Sequence, residues 1–251
     1  MIIDHPQTAH IPALRRLWQQ AFGDADSFLD SFFHLGFDPR RCRCAFAEGR
    51  PMAALYWFDC ACRGRRIAYL YAIATEKEHR GKGICRALMD DTHTLLKDLG
   101  YSAAVLVPGE ESLFRFYGAM GYGVFSSVSR RQVAAGAAST PLRPVDPKEY
   151  ALLRRKLLPE GGIVQEGAFL DLLADQFCLF AGDDLVLCAA VDKERLIAQE
   201  YLGDFTAAPG ILTSLGLKTG LFRAPGKETP FAMGLSLDAG PLPNYLGLAM
   251  D

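Results

Sequence analysis

The alternation of apolar and polar positions sets out a regular series of elements. In residues 11–22, IPALRRLWQQAF, the side chains Leu14, Leu17, Trp18 and Phe22 recur at helical spacing, and Gly23 stops the run. Phe28, Leu29, Phe32 and Phe33 give residues 25–36 the same period. Three apolar stretches follow at 43–47, 52–60 and 66–75. They are divided by Gly49-Arg50-Pro51 and Arg63-Gly64-Arg65, and read as strands joined by turns. Ile84, Leu88, Leu95 and Leu99 form one stripe of a helix over 84–99, which Gly100 ends. A strand over 101–107, a helix over 111–120 and a strand over 123–133 complete the first half.

Residues 134–141, AAGAASTP, are small and read as a flexible linker. Beyond them the order starts over: helices near 147–158 and 167–175, strands near 177–181, 184–191 and 194–203, a helix near 207–218, then strands near 219–224 and 230–237. No residue-level repeat accompanies this, so the repetition is one of architecture. The pattern predicts two α/β domains of similar build, 1–137 and 138–251.

Composition narrows the function. Half of the 251 residues are apolar and 22% are charged, which excludes a disordered chain. The net charge of −2 excludes a whole-chain basic field for nucleic acid. It is a cancellation: residues 1–140 hold 17 Lys and Arg against 14 Asp and Glu, and residues 141–251 hold 10 against 15. No stretch has the roughly 20 apolar residues of a membrane span, and the N-terminus lacks a signal-peptide pattern. A soluble cytoplasmic protein, monomeric or dimeric, is expected, with no nucleic-acid or membrane partner. The pairs Cys42/Cys44 and Cys60/Cys62 lack the Cys-x-x-Cys spacing of a zinc site and read as alternate positions on strands, so no metal is expected.

The segment from Tyr69 to Phe125 carries the chemistry. A strand runs into Glu76-Lys77-Glu78-His79, then Arg80-Gly81-Lys82-Gly83-Ile84-Cys85-Arg86, then a long helix. A glycine-rich turn opening a helix offers unpaired backbone N–H groups and the positive end of the helix dipole to an anion. Arg80, Lys82 and Arg86 add full charges, so a pyrophosphate is the natural guest. The Rossmann fingerprint fails, because Arg86 stands at its third glycine and no acid ends the next strand at Val107-Pro108-Gly109.

The segment instead resembles the GCN5-related N-acetyltransferase (GNAT) superfamily, whose acetyl-CoA loop reads Arg/Gln-x-x-Gly-x-Gly/Ala after a strand. Arg80 to Cys85 matches it, with Cys85 in the last small position; its thiol is a candidate reactive group at a helix N-terminus, or a small packing residue. Tyr117-Gly118-Ala119-Met120-Gly121-Tyr122 fits the family's tyrosine before Gly-Phe/Tyr. The resemblance implies two tandem GNAT-like domains, each a central, mostly antiparallel sheet flanked by helices, with acetyl-CoA as co-substrate. It implies that Ile73, Ala74 and Thr75 bond the pantetheine, that Gly81 to Arg86 with Arg80 hold the pyrophosphate, and that Tyr117 protonates the departing thiolate. The expected reaction is direct attack of a primary amine of a small molecule or peptide on the thioester. A non-catalytic CoA-binding sensor is the alternative.

No general base is visible; Asp59, Glu76, Glu78 and His79 are candidates by proximity. In the second half the turn Gly203 to Gly210 has no basic residue, and Asp204 repels a pyrophosphate, so this half reads as a degenerate domain. The pairing is similar to the tandem arrangement of the Eis-like aminoglycoside acetyltransferases, without their third domain. In those enzymes a C-terminal carboxylate acts as base, which places Asp251, at the end of the apolar tail 244–251, near the acceptor site. Phe22, Phe28, Phe32 and Phe33 lie on the helices that border that site in the family.

Overall fold

A computed structural model describes residues 1–250. In the first half, β1 (Ile2–Asp4), α1 (Ile11–Phe22) and α2 (Asp26–Ser31) precede β2 (Cys42–Ala47), β3 (Arg50–Cys62) and β4 (Arg65–Thr75). Then come α3 (Ile84–Asp98), β5 (Ala103–Leu106), α4 (Glu111–Gly118) and β6 (Gly123–Ala134). In the second half, β7 (Arg143–Pro144), α5 (Pro147–Leu157), β8 (Val164–Gln165) and α6 (Ala168–Gln176) precede β9 (Cys178–Ala181), β10 (Val186–Asp192) and β11 (Arg195–Leu202). The chain continues through α7 (Ala208–Ser214), β12 (Thr219–Pro225) and β13 (Thr229–Ser236). The expected helix over 25–36 is α2 followed by a π turn, Phe32–Gly36, where Gly36 passes close to Leu172 of α6. The short strands β1, β7 and β8 carry too few residues to show a period.

The fold is mixed α/β, with helices flanking a large sheet. All 13 strands form one sheet rather than two, in the order β1-β2-β3-β4-β5-β13-β6-β12-β11-β10-β9-β7, with β8 on the edge of β3 beyond β2. Counted inward from both edges, the order is a palindrome. β3 and β4 pair antiparallel and β4 and β5 parallel, just as β10 and β11 pair antiparallel and β11 and β12 parallel. The last strand of each half is exchanged. β13 completes the ladder on β5 of the first half, β6 completes it on β12 of the second, and the two pair with each other at the centre. A separate 1–137 unit would lack β13, and a separate 138–251 unit would lack β6.

Alternating side chains explain the cores on the two faces. Cys42 and Cys44 of β2 and Cys60 and Cys62 of β3 all point into the same core, with Trp18, Phe32, Tyr56 and Tyr69. Ala53, Leu55 and Trp57 of β3 point to the other face, under Ile84, Leu88 and Leu96 of α3. The segment 134–141 is bonded along α7 rather than hanging free: Gly136 N–H donates to Pro209 O (3.1 Å), and Thr140 N–H to Gly210 O (3.0 Å). Small residues are needed there for close approach.

One buried polar cluster ties the halves to the tail. Arg154 of α5, 1% exposed, donates to both oxygens of Glu200 in β11, at 2.5 and 3.0 Å. Its other N–H groups reach Ile163 O (3.1 Å) and Gln165 Oε1 (3.2 Å). The Tyr245 hydroxyl donates to Glu200 at 3.1 Å, and Gln165 donates to Leu248 O at 2.9 Å. Ser126 of β6 bonds both backbone groups of Leu246, and Arg223 of β12 donates to Ala249 O at 3.1 Å. Tyr245, Leu246, Leu248 and Ala249 are buried, so the tail runs through the interior.

Removing one partner of this pair leaves an uncompensated buried charge. Glu200→Gln is expected to lower unfolding free energy by about 3–5 kcal/mol in urea titration, whereas the double change Arg154→Met with Glu200→Leu loses much less.

Candidate active site

The site begins where two parallel strands part. β4 and β5 pair only through Ile67–Ala103, Ala68–Ala104 and Tyr69–Val105. Just past this point β4 carries a bulge: the register on β3 shifts between Tyr56–Tyr71 and Ala54–Ala74, so Ala72 and Ile73 oppose Leu55 alone. Ala72 has φ +48°, the left-handed region that an L-residue seldom occupies and that bulges beside functional sites impose. The bend turns β4 away from β5. Residues 72–75 then keep β3 on one side and, among the described residues, form no ladder pair on the other.

Beyond Thr75 the chain makes a 3-10 turn, Lys77–His79, and the exposed loop that opens α3. Gly81 (φ +73°) and Gly83 (φ +77°) are left-handed, and beyond the adjoining residues no heavy atom of the described chain lies within 4 Å of where a Cβ would stand. The glycines are thus required by backbone geometry, and the space above them is open. Arg80, Lys82 and Arg86 are exposed beside it. Arg80 Nε donates to Thr75 O (3.0 Å), fixing the loop against the strand end. Arg86 donates to Ala119 O (2.8 Å), which ties α3 to the end of α4.

A cavity of about 410 Å³ opens between the parted strands. Tyr69, Leu70, Tyr71, Ala72 and Ile73 of β4 line it with Leu106 and Val107, and Leu113 and Tyr117 of α4 add to that wall. Trp18, Phe22 and Phe28 come from the N-terminal helices, and Gln176, Phe177 and Met250 from the second half. Burial, with the Cys85 thiol beside it, pushes the Tyr117 phenol well above its ordinary pKa, so it holds its proton across the working range.

Residues 3–125 match the family model described as an acetyltransferase (GNAT) domain. The chain carries a GNAT acetyltransferase domain. A comparison with curated protein sequences finds no match. Among solved structures, the fold is similar to a GCN5-related N-acetyltransferase from Kribbella flavida, with TM-score 0.71 at 16% identity, over 95% of this chain and 71% of that one. It is similar to a probable N-acyltransferase from Enterococcus faecalis, with TM-score 0.72 at 13% identity, over 94% and 73%. It is also similar to Eis1 from Mycobacterium abscessus, with TM-score 0.70 at 14% identity, over 95% and 74%. At these identities the structural likeness speaks for the fold.

Within the GNAT domain, Ile73 and Tyr117 meet at the cavity, Ala74 and Thr75 lie further along the open edge, and Arg80 to Arg86 stand at its end. Phe22 and Phe28 line the cavity, whereas Phe32 is core beneath Trp18. Asp251 lies outside the described residues. The four sequence candidates for a base are not among the cavity's described lining. Glu76 is held by Arg50 at 2.9 Å, and Asp59, toward the far end of β3, by Arg41 at 2.7 Å and the Tyr101 hydroxyl. Trp18, Asp24, Gln176 and Phe177 were missed. Asp24 had one signal, its place directly after the helix-ending Gly23.

Of the two readings of Cys85, its burial favours the small packing residue. A helix N-terminus lowers a thiol's pKa, but burial dominates and pushes Cys85 up to about 11. The second half differs from the first at the matching turn. Asp204 turns its own carboxylate onto Thr206 N–H (3.0 Å), and Thr140 fills the space over Gly210. No helix of the described residues is long and apolar enough to cross a membrane.

Iodoacetamide at pH 7.5 is expected to label the exposed Cys178 and leave Cys85 unmodified, with Cys85 labelling rising only as pH approaches about 11; peptide mass mapping against pH measures this.

Proposed function

We propose that the protein transfers the acetyl group of acetyl-CoA to a primary amine of a small molecule or peptide. The observation that carries this reading is one of coincidence. A strand edge without ladder pairs over 72–75, an exposed glycine-rich turn at a helix start and a proton-bearing tyrosine open onto one cavity and its end. In this reading Ile73, Ala74 and Thr75 offer backbone groups to the pantetheine amides. The backbone N–H groups of Gly81 to Arg86 receive the pyrophosphate, with Arg80 and Lys82 adding charge. The open space over Gly81 and Gly83 fits that role, because a Cβ at either would stand where a phosphate approaches.

The amine nitrogen attacks the thioester carbonyl, the C–S bond breaks, and the sulfur takes the Tyr117 hydroxyl proton. The nitrogen's surplus proton leaves to water or to a carboxylate, and Asp251, next after the cavity residue Met250, is the candidate. Solvent then reprotonates Tyr117. Orientation supplies much of the rate, since both reactants lie in one cleft. The acidic second half draws a cationic acceptor toward this cleft.

Tyr117→Phe is expected to lower kcat about 10²-fold or more while leaving acetyl-CoA affinity unchanged, read by thiol release and calorimetry. Because burial raises the Tyr117 pKa, the wild-type rate should show no loss from this group below about pH 10, and the variant's deficit should be largest at high pH. An unchanged kcat rejects Tyr117 as the acid. Deleting Met250 and Asp251 alone spares the buried Leu248 and Ala249 and is expected to cut turnover sharply with a native melting curve; full activity removes the tail from the mechanism.

A further inference from the structure

The cavity's lining is not uniform. Ile73, Leu106, Val107, Leu113 and Tyr117 belong to the parted strands and α4, the part that serves the acyl arm. The rest, contributed by α1, α2 and the end of α6, is aromatic: Trp18, Phe22, Phe28 and Phe177. The Trp18 indole N–H donates to Asp24 at 2.7 Å, so its polar atom is already satisfied and its ring presents hydrocarbon. Among the described lining residues Asp24 is the single acid, and no lysine or arginine is present. Asp24 is exposed at the rim, and no described basic side chain forms an ion pair with it. Gln176 is the only amide among the described lining residues.

These features constrain the acceptor. A polyhydroxylated polyamine would bring many groups that need hydrogen bonds to a wall whose described residues offer one carboxylate, one amide and a few phenols. Each group left unpaired would lose its water for nothing in return. An amine with an apolar body gains from the same wall. We propose that the acceptor is a small amphipathic monoamine, with one primary ammonium and an aromatic or branched-alkyl body that seats among Trp18, Phe28 and Phe177 after capture at Asp24. This rests on the reading of the cavity as the acyl-transfer site.

Each part of the site then has a task. Asp24 attracts the cation to the mouth through solvent, an effect that salt weakens. Inside, the aromatic faces take up the apolar body. The loss of water favours the neutral amine, which is the form that attacks the thioester. The second half contributes Phe177 and Gln176, so it shapes the acceptor end although its own turn is closed.

The test measures thiol release from acetyl-CoA by the full chain with phenethylamine, ethanolamine, glucosamine and a tripeptide bearing a free α-amine. Phenethylamine is expected to exceed each of the others in kcat/KM by about tenfold or more. Phe177→Ala should narrow the ratio of phenethylamine to ethanolamine. Asp24→Asn still accepts from Trp18. It should lower kcat/KM several-fold at low salt, through KM, and flatten the salt dependence. Equal or better turnover of ethanolamine, glucosamine or the tripeptide overturns the proposal. If no amine releases thiol, calorimetry with CoA-loaded protein separates the two readings. Phenethylamine binding that Phe177→Ala weakens keeps the ligand class and rejects acyl transfer, and absence of binding rejects both.

Discussion

The parting of β4 from β5 is the constraint around which the molecule is arranged. Two parallel strands that pair for three residues and then diverge leave backbone donors and acceptors facing a gap, and buried backbone groups without partners are costly. The bulge at Ala72 enforces the divergence, and the strain at that residue is tolerated because β3 holds both sides of it. The candidate site lies along the gap. α3 begins at its mouth, α4 supplies Tyr117 to one wall, and aromatic residues close the other. An extended ligand with amide groups can satisfy the exposed edge as a further strand would.

The second half has the same parallel pair, β11 and β12, without such a gap in use. There the segment 134–141 lies along α7 with backbone bonds to Pro209 and Gly210, and Asp204 caps the turn. Chain atoms thus occupy the position where the first half keeps open space. What the second half gives instead is structural: a strand for the first half's ladder, three side chains for the cavity, and the Arg154–Glu200 pair that anchors the tail.

Much of this was legible in the sequence where one period dominates. The stripe of Leu14, Leu17 and Trp18 predicted α1 at its observed bounds, and the glycines after Arg80 predicted a left-handed turn before a helix. The repeated order of elements was legible too. The strand exchange was not, because β6 and β13 have the same alternation whichever neighbour they pair with; register and partner are set by tertiary packing. The aromatic wall of the cavity was half legible. Phe22 and Phe28 sat on a helical period, whereas Phe177 lies 149 residues beyond Phe28 and had no local signal. The fate of the Cys85 thiol was decided by burial, which spacing does not report.

The exchanged strands bear on how the protein is made. A chain emerging from the ribosome delivers β5 more than 120 residues before β13, the strand that pairs with it. Until then β5, entirely buried in the finished molecule, has one ladder edge open, and β6 waits for β12. The first half therefore cannot close its side of the sheet during synthesis, and its cavity lacks Phe177 and Met250 for most of translation. Vectorial, domain-by-domain folding is denied to this topology. In exchange, an interrupted chain that ends before β13 yields a species with an open sheet for quality control to remove, rather than a half-formed transferase.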